Sequence, residues 1–109
     1  MDYRNMDFEQ KDKVLKYIGE AYQRSRKRLD MRVRGRMVAE NSRSYESDRD
    51  LVGLIDRTLR DCSADTRCII INDYLISSRP AWYKSYYPAS TYYRLKHKAL
   101  EEFIRCLNM

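Results

Sequence analysis

Glycine and proline are scarce, at three and two in 109 residues, yet the chain is too apolar and too aromatic to stay disordered, with 43% hydrophobic residues. No apolar run approaches the roughly 20 residues that a bilayer span requires, so a membrane protein is not expected. Met1-Asp2-Tyr3-Arg4 leads into no apolar stretch, so no secretory signal is read and a cytoplasmic protein is expected. Histidine occurs once, as His97, and the three cysteines (Cys62, Cys68 and Cys106) follow no zinc spacing. A tetrahedral site lacks ligands on this count, and the thiols are expected free, packed as small hydrophobes in a reducing compartment. There is also no Ser/His/Asp set, no Gly-rich phosphate loop and no matched pair of carboxylates. Neither enzyme activity nor a cofactor is expected.

One further shortage is local. From Tyr74 to Leu100 there is no carboxylate, although Arg79, Lys84, Arg94, Lys96 and Lys98 all lie there. From Arg24 to Arg43 eight bases face only Asp30 and Glu40, and acids collect in 46–65. The net charge is +6 and the pI about 9.3, a balance that attracts nucleic acid, acidic partners or anionic surfaces without choosing among them. The basic run over 24–36 reads either as an arm tracking a DNA backbone, as a solvated helix face, or as a docking surface for a partner.

Periodicity predicts an all-α fold in one domain over 1–109, a small helical bundle with a basic N-terminal helical segment (1–45) and a C-terminal helix-turn-helix part (46–109). Asp7 and Gln10 form a capping-box-like start to a helix of roughly residues 8–25, carried by Val14, Leu15, Ile18, Ala21 and Tyr22. Leu29, Val33 and Met37 extend its stripe, against Gly35. Residues 40–48 are polar and aperiodic and read as a loop. Ser47 and Asp50 open a second helix with Leu51, Leu54, Ile55, Thr58, Leu59 and Cys62 on one face. Ser63-Ala64-Asp65 opens a third, dense in apolar residues through Leu75. Pro80 begins a two-turn helix over 81–87, Pro88 ends it, and a last helix runs from about Ala89 to Leu107. Its apolar face is Tyr92, Leu95, Ala99, Leu100, Phe103 and Leu107. Lys98–Glu102 and Glu101–Arg105 are expected as i, i+4 pairs.

A short helix, a tight turn and a longer helix whose first turns carry Ser90, Thr91, Tyr93, Arg94 and Lys96 make a helix-turn-helix pattern. Arginine matches guanine edges in two places at once, hydroxyls reach bases or phosphates, and an acid-free N-terminal half suits the major groove. Lys84 and Lys96 are expected to reach phosphate. Of the aromatics within 74–93, Trp82, Tyr86 and Tyr92 are expected to pack the motif, with stacking on single-stranded bases as the other reading. His97 is expected to be exposed and structural.

The stretch Ser90-Thr91-Tyr92-Tyr93-Arg94-Leu95-Lys96-His97-Lys98-Ala99-Leu100-Glu101-Glu102-Phe103 resembles the C-terminal motif of phage late-gene regulators of the ArpU type. More distantly it is similar to region 4 of sigma-70 factors, whose recognition helix ends in a signature like Lys98-Ala99-Leu100. The run from Leu59 through Asn72-Asp73-Tyr74-Leu75, Trp82-Tyr83, Tyr86-Tyr87 and Phe103 also resembles a small group of uncharacterised mollicute proteins. The region 4 resemblance implies duplex DNA as partner, RNA polymerase as a further one, and base contacts at Ala89, Ser90, Thr91, Tyr93 and Arg94. The chain departs from that pattern at Pro88, which replaces the usual Ser/Thr cap, in lacking a turn glycine, and in an alanine where a base is common. No sigma region 2 is visible, so a complete sigma factor is not expected. The N-terminal helix is expected either to pack on the motif or to form a homodimer. The rival expectations are a module that contacts polymerase or another acidic partner without DNA, and a small RNA-binding protein.

Overall fold

The structure is a computed structural model that describes residues 6–33 and 42–108. Four helices make it up: α1 (Phe8–Val33), α2 (Ser42–Arg60), α3 (Ala64–Ile70) and α4 (Ala89–Leu107), and no strand occurs among the described residues. A π turn (Ile71–Leu75) continues α3, and a 3-10 turn (Trp82–Ser85) interrupts the connection to α4. Among the described residues no helix is long and apolar enough to cross a membrane.

Local chemistry sets the boundaries. The Asp7 carboxylate accepts from the Gln10 amide at 2.8 Å and the Gln10 side chain accepts from the Asp7 amide at 2.9 Å. This reciprocal box satisfies two donors left orphaned at the start of α1. α1 runs eight residues past the expected end near residue 25, to Val33. Gly35 and Met37, and the basic run from Arg34 onward, lie outside the described residues. The loop expected over 40–48 is corrected from Ser42 on, where α2 already begins, five residues before Ser47. The physical reason is tertiary: Asp48 is buried and held by α1, where Ser25 donates to it at 3.0 Å and Arg28 grips both oxygens at 2.6 and 2.8 Å. Polar residues that read as loop are here the first turns of α2, with Asp48 buried among them. Arg28 therefore leaves the basic run for an internal role. On α2, Val52 is buried and Leu54 exposed, the reverse of the expected stripe at those two positions.

Ser63 caps α3, its hydroxyl accepting from the Thr66 amide. Glu102 accepts from the Ser63 amide at 2.8 Å and from its hydroxyl at 3.1 Å, instead of pairing with Lys98. The expected two-turn helix over 81–87 is reduced to the single 3-10 turn, because Ala81 takes a left-handed conformation (φ 59°) that a helix cannot contain. Pro88 then precedes α4 in an extended conformation.

The core brings all four helices together. Leu15 from α1, Ile55 and Leu59 from α2, Ile69 and Ile70 from α3, and Leu100, Phe103 and Ile104 from α4 are its buried centre. Where α1 crosses the π turn the backbones nearly touch: a Cβ on Gly19 would stand 2.2 Å from the Tyr74 carbonyl oxygen. That carbonyl, near the end of its helix, accepts from the Gln23 side chain at 3.1 Å.

Candidate nucleic-acid interface

α4 has two faces because its apolar residues repeat at three and four. Tyr92, Ala99, Leu100, Phe103 and Ile104 are buried. The other face, from the N-terminus, carries Ala89, Ser90, Tyr93, Arg94, His97 and Lys98, all exposed. Thr91 is half-buried beside them. Tyr93 keeps 56% of its surface in solvent and has its ring 5.0 Å from that of Tyr92. The His97 ring stacks on Phe8 at 4.1 Å, which ties the start of α1 to this face. Lys84, on the 3-10 turn, is exposed as well.

Lys96 has a different place from the one expected of a phosphate contact. Its side chain is only 17% exposed and pairs with Asp73 at 3.3 Å, while its ammonium lies 5.4 and 5.8 Å from the ring centres of Tyr74 and Tyr92. The correction follows from position: Lys96 comes four residues after buried Tyr92 and so points back across the core-facing side of α4.

Asp73 is the residue that sequence reasoning missed. It accepts from the Trp82 indole nitrogen at 2.7 Å and from the Tyr92 hydroxyl at 2.5 Å, besides pairing with Lys96. It thus joins the π turn, the 3-10 turn and α4 at one carboxylate. Around it Tyr83 stacks on Tyr92 with centroids 3.8 Å apart, and Trp82 meets Tyr92 edge-on at 5.9 Å. The signal was an acid inside an otherwise apolar helical run, since a carboxylate drawn largely out of water needs donors.

A second polar pair lies alongside, the Tyr74 hydroxyl donating to Asp12 of α1. Burial, then the hydrogen bonds to Asp12 and Asp73, raise the ionisation of Tyr74 and Tyr92 well above the ordinary tyrosine value of 10.0. Because the fold favours their protonated forms, that stabilisation is complete below about pH 10 and disappears as the pH rises further. An absorbance titration is expected to show two tyrosines ionising only as helical signal is lost. Their ionisation with the helices intact would contradict these contacts.

The three thiols are free. Burial, with Cys106 alongside, pushes the Cys62 thiol up to about 12. Among the described residues no group of three or more His, Cys, Asp or Glu is placed to hold a metal.

Compared with protein families, with characterised proteins and with solved structures, the chain matches none of them.

Proposed function

We propose that the protein binds duplex DNA and acts as a transcription regulator, with α4 as the recognition helix packed on α3, the 76–88 connection with its 3-10 turn standing where a short helix and tight turn were expected. One observation carries this reading. Ser90, Arg94 and Lys98 follow one another along the exposed face of α4 with no carboxylate among them, and none has a side-chain partner among the described residues. Unspent donors over two turns of a rigid helix are what a major groove accepts. The core stripe, fixed by Phe103 and Leu100, keeps that face turned outward. Ser90, Thr91, Tyr93 and Arg94 are the base-reading set, Ala89 stands at the groove floor, and Lys84 takes phosphate. RNA polymerase is a further partner in this reading, and α1 offers a face for a second copy.

The test starts from duplexes selected out of a randomised pool. Arg94→Ala is expected to cost about 1–3 kcal/mol on the selected site and to relax preference at one base pair. Lys84→Ala is expected to weaken all duplexes alike and to lower the salt slope by about one. Since both residues are exposed and unpartnered, melting should stay within about 0.5 kcal/mol of wild type. If Arg94→Ala binds the selected duplex as tightly as wild type, α4 does not read DNA, and a protein-docking role takes its place.

A further inference from the structure

Beside the recognition face, the 76–88 connection forms a cleft of about 320 Å³ walled by Asn72, Ser78, Arg79, Trp82, Ser85 and Tyr86. Its chemistry is divided. The Trp82 indole nitrogen is already committed to Asp73, so the indole offers the cleft a π face and no donor. Tyr86 stands 6.1 Å from Trp82 at an interplanar angle of 55°, a tilted ring contact, and is 70% exposed, so its outer face is open. At the edge lies Arg79, exposed and without a partner among the described residues, as is the Ser85 hydroxyl. Ser78 donates to Asn72 at 2.7 Å, and Asn72 donates to the Cys68 carbonyl at 2.8 Å, so the wall behind the two rings is rigid.

We infer that this cleft binds one unpaired base of a single-stranded nucleic acid, stacked on the exposed Tyr86 ring beside Trp82 with Arg79 on the adjoining phosphate. The occupant follows from size and charge together. A paired base keeps both faces covered by its neighbours, whereas an unpaired one presents a π face to aromatic side chains. The surrounding chain, 74–100, holds no carboxylate; of the acids nearby, Asp73 is held by three donors and Asp65 accepts from the Tyr87 hydroxyl. An anionic backbone at the cleft meets Arg79, with exposed Lys84 on the same connection. This inference stands independently of the duplex reading, since it uses none of the α4 face.

Trp82 is the only tryptophan in the chain, so intrinsic fluorescence reports the cleft directly. The probes are short oligothymidylate and oligouridylate strands, and an abasic strand with the same phosphates. Saturable quenching is expected with both base-bearing strands, at an affinity roughly tenfold or more above the abasic one. A preference between thymidylate and uridylate assigns the natural strand as DNA or RNA. Tyr86→Ala is expected to weaken binding by about tenfold without altering melting. Arg94→Ala is expected to leave quenching unchanged even where it weakens duplex recognition, so the two readings fail separately. Equal affinity for the abasic strand, absence of quenching, an unchanged Tyr86→Ala, or an acidic peptide that displaces the strand at equal concentration each overturns the assignment.

Discussion

Gly19→Ala is expected to destabilise the fold by about 1–3 kcal/mol. The added Cβ would lie 2.2 Å from the Tyr74 oxygen and 3.0 Å from its carbonyl carbon. Both are backbone atoms, so no rotamer change relieves the clash; α1 must move off the π turn and lift Leu15 from the core. Alanine's better helix propensity returns only about 1 kcal/mol. Moving α1 also breaks the Gln23 contact to the same carbonyl. Gly53, on α2, has nothing within 4 Å of its Cβ position, and Gly53→Ala is expected to stabilise by up to about 1 kcal/mol. Urea unfolding of the pair checks this. If the two substitutions shift the midpoint alike, the close crossing of α1 and the π turn is wrong.

Asp73→Ala is expected to cost about 3–5 kcal/mol, the range for removing one partner of a buried ion pair. The carboxylate is 13% exposed and Lys96 17%. Its removal leaves an ammonium, an indole N–H and a tyrosine hydroxyl without their acceptor. Water reaches some of these groups, which holds the loss toward the lower end. Asp73→Asn keeps one acceptor oxygen and is expected to recover part of the loss. Tryptophan emission should shift red in the alanine variant, because Trp82 loses the bond that fixes it. A melt unchanged from wild type would remove Asp73 from its central position.

What was legible in the sequence was local. The Asp7–Gln10 box, the Ser63 cap and the span of α4 rest on contacts within four residues, and they appear at the expected places. So does the burial of Tyr92, Ala99, Leu100 and Phe103, which follows from helical period alone. What escaped was set at long range. Asp48 makes residues 42–48 helical by reaching Ser25 and Arg28, twenty or more positions away. Lys96 lies on the Tyr92 side of α4, but the carboxylate that holds it there, Asp73, comes from the π turn, and no pattern along α4 announces that partner. The same holds for Glu102, drawn to the start of α3 from 39 residues off. On the candidate interface, exposure of Ser90, Tyr93 and Arg94 was readable from the opposite apolar stripe. The cleft at Arg79 and Trp82 was not, since it depends on the left-handed turn at Ala81.

The π turn has a consequence for ancestry. Its Ile76 amide reaches back five residues, to Ile71, where a regular helix reaches four. Tyr74 and Leu75 accordingly fall beneath Ile69 and Ile70 at steps of five, and all four are buried. A turn with one residue too many is what a single-codon insertion into an ordinary helix would leave. Relatives that diverged before such an event would carry an uninterrupted helix here, offset by one position from this chain. Aligning them would require a one-residue gap within 71–75, and with it a phase change of roughly 100° for everything downstream on that helix. Without the extra residue Asp73 would rotate away from α4, and Trp82, Tyr92 and Lys96 would need a different anchor.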